Sequence, residues 1–182
     1  MTVIRWQGRQ QDSSLEHLHL QAGMAGAIFE ALVLSHRDSG QGTALRYRLH
    51  ADPSWRTRRV MVQALGQAYS LQLHADGQGN WSTPDGRALP QLAGALDLDL
   101  SFTPATNMLP IRRLDLAIGA QATIQAVYVD WPSLEPALAP QRYTRLSAER
   151  YLFESLDHDF QREIVVDEAG LVLDYPDLFV RA

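Results

Sequence analysis

The chain has 182 residues, contains no cysteine and carries a formal net charge of −5. The lack of cysteine excludes disulfides, thiol catalysis and thiolate metal sites. The acidic balance argues against a general nucleic-acid binder, because such a protein neutralises phosphates with a basic surface. The length suffices for one substantial core, and we predict a single domain over residues 1–182.

The dominant periodicity is two, in which apolar and polar residues alternate as they do along β-strands. In chain order, strands are predicted over 43–52, 58–65, 68–76, 122–131, 150–156, 161–167 and 170–175. Segments rich in Gly, Asn and Asp at 38–42, 75–80, 83–87 and 167–170 predict tight turns between strands. Short strands joined by hairpin turns favour an all-β, antiparallel barrel or sandwich.

Very little helix is expected. The best candidates are about one turn within 107–114 and the stretch LSAER at 146–150, which Ser147 could cap. No run of apolar residues approaches the roughly 20 that a membrane-spanning helix needs. The first residues lack a basic region followed by an apolar core, so a cytoplasmic location is expected.

A weak internal repeat links the two halves of the chain. RYRLHADPSWRTRRVMV (46–62) resembles RYLFESLDHDFQREIVV (150–166), in that each opens a strand with Arg-Tyr and ends in β-branched residues. Any two hairpins share some of this pattern, but the separation exceeds half the chain. We therefore predict an internal duplication with halves at about 1–95 and 96–182.

His17 and His19 are the best candidate metal ligands, because both imidazoles of an H-x-H pair point to one face of a strand. A third ligand is missing nearby, since the next carboxylate along the chain is Glu30. A half-exposed strand with two surface histidines is therefore the preferred interpretation. We predict neither a metal nor another cofactor.

The best candidate catalytic or binding side chains, two aspartates followed by two arginines, lie in LDLDLSFTPATNMLPIRRLDL (96–116). The first eight residues predict a strand with Asp97 and Asp99 on one face, their backbones roughly 6.5 Å apart. That distance suits paired-carboxylate catalysis, which uses roughly 5 to 9.5 Å, and it equally suits a solvated face. We favour a third interpretation, in which one or both carboxylates pair with Arg112, Arg113 or Arg145.

A second cationic stretch is QRYTRL (141–146), where Gln141, Tyr143 and Arg145 share one strand face. An arginine beside a tyrosine can hold a phosphate, a carboxylate or a sugar. Together with the segment above, this stretch gives the predicted ligand-binding residues: Asp97, Asp99, Arg112, Arg113, Tyr143 and Arg145.

The string TPATNMLPIRRL (103–114), followed by QRYTRL, YLFES and VDEAGLVLDYPDLFVR, resembles the bacterial family named putative glycolipid-binding proteins, formerly a domain of unknown function. The resemblance runs from about Trp55 to the C-terminus. It implies a large open antiparallel β-barrel with internal duplication, similar in shape to periplasmic lipoprotein carriers. The family's name rests on that shape, and the resemblance brings no catalytic residue with it.

Three functions remain open from the sequence, the third being an interaction module whose exposed strands bind a protein. The preferred one is a non-enzymatic protein that binds a lipid or glycolipid in an apolar cavity, with arginine and tyrosine at its polar rim. The alternative is an enzyme acting on a lipid or sugar derivative, with Asp97 or Asp99 as acid or base.

Overall fold

The computed structural model describes residues 1–9, 13–36, 42–68 and 70–182. Strands take up 57% of the structure and helices 8%. The all-β prediction with very little helix is thereby confirmed. Most of the turn predicted at 38–42 lies outside the described residues.

The described residues form fourteen strands. They are β1 (Thr2–Gly8), β2 (Ser13–Gly23), β3 (Gly26–His36), β4 (Gly42–Ala51), β5 (Thr57–Ala64), β6 (Ser70–Ala75), β7 (Trp81–Ser82), β8 (Asp97–Leu100), β9 (Gln121–Val129), β10 (Pro136–Arg145), β11 (Arg150–Ser155), β12 (Phe160–Val166), β13 (Val172–Tyr175) and β14 (Phe179–Arg181).

All fourteen strands belong to one sheet, in the order β7-β6-β5-β4-β3-β2-β1-β14-β13-β12-β11-β10-β9-β8. Neighbouring strands are antiparallel except for β8 and β9, which run parallel. The sheet is not closed, because β7 and β8 stand at its two ends. The prediction of a large open antiparallel β structure is confirmed, with that one parallel pair as an exception.

The strand order repeats when seven is added to each number, so β4 and β5 correspond to β11 and β12. These are the strands of the two similar sequence segments. An internal duplication would give this order, although strand order does not measure how well the halves superpose. The duplication therefore stays a prediction.

The sequence pattern did not predict several of the strands, or predicted only part of them. Strands β1, β3, β7 and β14 were not predicted, and β2 was predicted only around His17 and His19. In β10, only the end from Gln141 to Arg145 was predicted, after Pro136 and Pro140. Pro140 opposes Gln125 of β9, whereas pairing of β10 with β11 begins one residue later at Gln141. A proline can stand there because no ladder bond to β11 requires its missing N–H.

The helix predictions met different outcomes. An α-helix, α1, spans Met108–Leu114 as expected, after a 3-10 turn at Ala105–Asn107. The helix predicted at 146–150 is wrong. That stretch forms the tight turn between β10 and β11, in which the N–H groups of Leu146 and Ser147 donate to the carbonyl of Arg150 at 2.8 and 3.2 Å. No helix among the described residues is long and apolar enough to cross a membrane.

The connection between β7 and β9 fills the inner face of the sheet. Leu92, Leu98, Leu100 and Leu109 are buried there, in one core cluster with side chains from β1 to β6. A second cluster joins Ile111 of α1 to aromatic and aliphatic residues of β9 to β13. Strand β8 is therefore covered on both faces, which leaves Asp97 buried and Asp99 half-buried.

Candidate functional site

Asp97 forms a buried ion pair. Its Oδ1 accepts from Arg113 Nε at 3.0 Å and its Oδ2 accepts from Arg113 Nη2 at 2.5 Å. The side chains are only 1% exposed for Asp97 and 16% exposed for Arg113. Burial raises the pKa of Asp97, and the guanidinium of Arg113 partly opposes that shift. The predicted pairing of a β8 carboxylate with an arginine is confirmed here.

Asp99 has a neutral partner instead of an arginine. Its Oδ2 accepts a hydrogen bond from Gln141 Nε2 at 2.6 Å. Burial raises the pKa of Asp99 to about 6, although hydrogen bonding from Gln141 and Thr106 acts in the opposite direction. The prediction that one or both carboxylates pair with an arginine is therefore met by Asp97 alone, and Asp99 is bound by the side-chain amide of Gln141 on β10.

Asn107 and Tyr143 hold the loop after β8 in place. The hydroxyl of Tyr143 donates to Asn107 Oδ1 at 2.9 Å, and Asn107 Nδ2 donates to the carbonyl of Pro104 at 3.2 Å. Both side chains are buried. The side-chain amide of Asn107 thus stabilises this turn, and the buried Tyr143 supports the loop.

A pocket of about 490 Å³ opens beside Asp99. Its polar lining includes Asp99, Asn107 and Gln141. Its aromatic lining consists of Tyr128, Phe153, Phe160, Tyr175 and Phe179. Edge-to-face ring contacts connect Phe153 with Phe160 and with Tyr175, at centroid distances of 6.0 and 6.4 Å.

Of the six predicted ligand-binding residues, only Asp99 lines this pocket. Arg112 and Arg145 line a smaller pocket of about 190 Å³. There Arg145 Nη1 donates to the carbonyl of Leu116 at 2.7 Å, and Arg112 lies over the ring of Trp55. Arg113 is engaged with Asp97. A ligand-binding role for these arginines stays a prediction, and they do not surround one common space with Asp99.

Sequence reasoning missed the aromatic wall of the 490 Å³ pocket. Its rings come from β9, β11, β12, β13 and β14, which contribute one ring each. A local signal existed, since aromatic residues recur along the C-terminal strands. That signal does not reveal which strands become neighbours in the sheet, and the aromatic wall forms only because these strands lie next to one another.

His17 and His19 make ordinary polar contacts on β2. Arg5 Nε donates to His17 Nδ1 at 3.1 Å, and the Nε2 atoms of the two histidines are 3.0 Å apart. The described residues contain no group of three or more His, Asp or Glu side chains able to hold a metal ion.

The described residues form an open, barrel-like β-sheet protein, in which aromatic rings line one wall of the 490 Å³ pocket. The structure is similar to a crystal structure of a DUF1089 family protein from Pseudomonas aeruginosa, with 42% identity, 96% of this chain and 95% of that chain covered, and a TM-score of 0.84. It also resembles a β-barrel-like protein of the DUF1849 domain of unknown function from Brucella abortus, at 10% identity, with 98% and 92% of the chains covered and a TM-score of 0.55. At that identity the second likeness concerns the fold alone.

The family model described as "Putative glycolipid-binding" matches residues 3–181. The chain belongs to this family, and the match extends well before Trp55, where the resemblance in the sequence began. No curated protein matches the sequence.

Proposed function

We propose that this protein binds a glycolipid or a similar amphipathic lipid in the 490 Å³ pocket without transforming it. The observation that carries the proposal is the meeting of two surfaces in one pocket: a wall of aromatic rings and a carboxylate–amide pair, Asp99 and Gln141. The description of the family supports the same ligand class.

The polar side of the pocket suits hydroxyl groups. The Asp99 carboxylate keeps acceptor capacity beyond the bond it receives from Gln141, and Gln141 retains a carbonyl oxygen and a second N–H. Sugar hydroxyls both donate and accept, so a ring presented to this pair can satisfy each of its groups. The arginines predicted to form the polar rim are replaced in this proposal by Asp99, Gln141 and Asn107.

The aromatic side suits an apolar chain or the face of a sugar ring. Phe153, Phe160 and Tyr175 form a continuous surface through their mutual ring contacts. The volume lies within the range of about 300 to 1,000 Å³ that is usual for small-molecule sites. We therefore propose that one chain or one headgroup is enclosed and that the rest of the lipid extends outside.

Native mass spectrometry of the protein purified from its own host tests the proposal, because a retained lipid is weighed directly. Ala137 lines the pocket and is exposed, so Ala137→Trp should fill the space without disturbing the core. The matched control is Ala22→Trp, an exposed alanine of β2 that is absent from the pocket linings. We expect lipid on the native protein and on the control, and none on Ala137→Trp. Equal lipid on both variants would place the ligand elsewhere and defeat the proposal.

One observation favours a second candidate, acid–base catalysis on a lipid or sugar derivative. Asp99 combines a place in the pocket with a pKa raised by burial to about 6, and such carboxylates often act as acids or bases. Asp97 cannot share that role, because Arg113 holds both of its oxygens. The two functions differ in the masses recovered. If Asp99 catalyses hydrolysis, in which water cleaves one bond of the ligand and gives two lighter products, Asp99→Asn would retain a heavier, uncleaved ligand than the native protein does; simple binding gives the same ligand mass in both.

A further inference from the structure

The outer face of the N-terminal half of the sheet carries charged and apolar side chains that suit a binding surface. We use "outer face" for the side chains of β1 to β6 that point away from the core. The antiparallel register places them in rows that cross the strands. One row runs Arg5, His17, Leu32, Arg46 and Gln63, and the next runs Val3, His19, Glu30, Arg48 and Met61.

This outer face is strongly basic although the chain is acidic. Among the described residues it carries the guanidinium groups of Arg5, Arg46, Arg48 and Arg59, against one carboxylate, Glu30. Four arginines and one glutamate leave an excess of three positive charges, whereas the whole chain has a formal charge of −5. Among the side chains that the structure describes, His17, His19, His50 and His74 lie on the same face.

The basic rows adjoin exposed aliphatic side chains. Val3, Leu15 and Leu34 are each 47% exposed and Leu32 is 38% exposed. Leu15 and Leu34 oppose each other directly across β2 and β3, and Leu32 opposes His17 two residues further along. Exposed aliphatic residues next to arginines form the pattern with which proteins bind the interface of an anionic bilayer.

On the outer face, Arg48 pairs with Glu30 at 3.2 Å, and the arginines of the described residues still exceed the carboxylates by three. The charge balance of the C-terminal half is different. Its outward arginines lie beside carboxylates on neighbouring strands: Arg142 pairs with Glu154 at 2.5 Å, and Arg150 pairs with Glu163 at 3.5 Å. The excess of positive charge is therefore a property of one half of the sheet. This asymmetry gives the molecule one side that anionic surfaces attract.

We infer that the outer face of β1 to β6 docks on an anionic lipid bilayer, with Leu15, Leu32 and Leu34 at the headgroup boundary and the arginines on the lipid phosphates. The inference rests on the proposed function, since a protein that carries a lipid must meet the membrane that supplies or receives it. A nucleic acid would match the charge as well. The exposed aliphatic residues favour the bilayer, because nucleic-acid surfaces place aromatic side chains where bases stack.

Cosedimentation with vesicles tests the docking surface. The native protein should bind vesicles of phosphatidylcholine mixed with phosphatidylglycerol and dissociate from them at high salt. It should not bind vesicles of pure phosphatidylcholine. Each basic residue near an anionic surface contributes about 1 kcal/mol, so the double variant Arg46→Ala/Arg59→Ala should bind about 30-fold more weakly. Leu15→Gln/Leu34→Gln should also bind more weakly, and Arg150→Ala is the matched control from the C-terminal half.

Every outcome decides the question. Loss of binding in both double variants with retention in Arg150→Ala supports the inference. Absence of vesicle binding by the native protein overturns it, and so does an equal loss in Arg150→Ala. Binding of duplex DNA that the leucine substitutions leave unchanged would assign the face to nucleic acid and overturn it as well. Ala137→Trp separates this inference from the proposed function, because that variant should lose its pocket lipid and still bind vesicles.

Discussion

Replacing Arg113 by Met should strongly destabilise the protein. The substitution keeps most of the volume of the arginine stem and removes both hydrogen bonds to Asp97. The carboxylate is 1% exposed, so water cannot replace the lost guanidinium. An uncompensated carboxylate then remains within the core cluster that Leu98 and Leu100 join.

The expected magnitude follows from that burial. Removing one partner of a buried ion pair costs about 3 to 5 kcal/mol, because the remaining charge is left without compensation. For a chain of this length, 1 kcal/mol shifts the melting temperature by roughly 2 to 4 °C. Arg113→Met should therefore melt about 6 to 20 °C below the native protein. Replacing both partners, as in Asp97→Leu/Arg113→Met, should recover much of the loss, since well-packed apolar side chains can substitute for a buried pair.

Thermal and urea unfolding followed by far-UV circular dichroism measure these differences. The matched control is Arg150→Met, which breaks the ion pair of Arg150 with Glu163, whose side chains are 56% and 54% exposed. Exposed pairs contribute about 0 to 1 kcal/mol, so this variant should melt within a few degrees of the native protein. If Arg113→Met behaves like Arg150→Met, the Asp97–Arg113 pair does not stabilise the core and the reasoning is refuted.

Three further predictions concern other groups. Glu16 is 3% exposed and accepts from the Tyr47 hydroxyl, and burial raises its pKa from 4.5 to about 7. The contribution of Glu16 to stability should be fully present below about pH 4.5 and fall by about 3 kcal/mol as the pH rises through about 7. Glu16→Gln should flatten that slope in urea melts across the range, and an unchanged slope would contradict the assignment. Tyr143→Phe leaves Asn107 Oδ1 without its donor and should cost about 1 to 3 kcal/mol, whereas a neutral result would mean that water replaces the hydroxyl. A chelator should leave the melting temperature unchanged, since the described residues contain no cluster of metal-ligating side chains; a drop of several degrees would reveal a structural metal.

The sequence predicts the class of fold because strand periodicity and turn residues are local signals. Alternation in 43–52 and 150–156 reports which side chains share a face, and glycines at turn positions report where strands reverse. Strands β1 and β3 were missed, and β2 was recognised only around His17 and His19, although all three alternate in the structure. In β2, the inward positions include Glu16, whose buried carboxyl breaks the apolar half of the pattern. In β10, Pro136 and Pro140 obscured the first half of the strand, because proline is unfavourable in the interior of a sheet.

The candidate site shows the limit of such signals. The alternation of β8 separates Leu98 and Leu100 from Asp97 and Asp99, and it correctly predicts which pair joins the apolar core. It does not predict that the opposite face is covered too. That depends on α1 and the loop before it, which fold back onto the inner face of the sheet.

By itself, the sequence determined the all-β class, the position of α1, and a carboxylate of β8 paired with a nearby arginine, because each depends on residues close together along the chain. Tertiary structure alone decided that Asp97 is the paired carboxylate and that Asp99 faces a pocket. Gln141, the partner of Asp99, lies 42 residues away, and the pocket's rings come from five different strands. The physical reason is that a pocket, a pKa shift by burial and a charged face all depend on which strands become neighbours. The register and strand order of the whole sheet determine which strands are neighbours, and the pattern within any one strand does not.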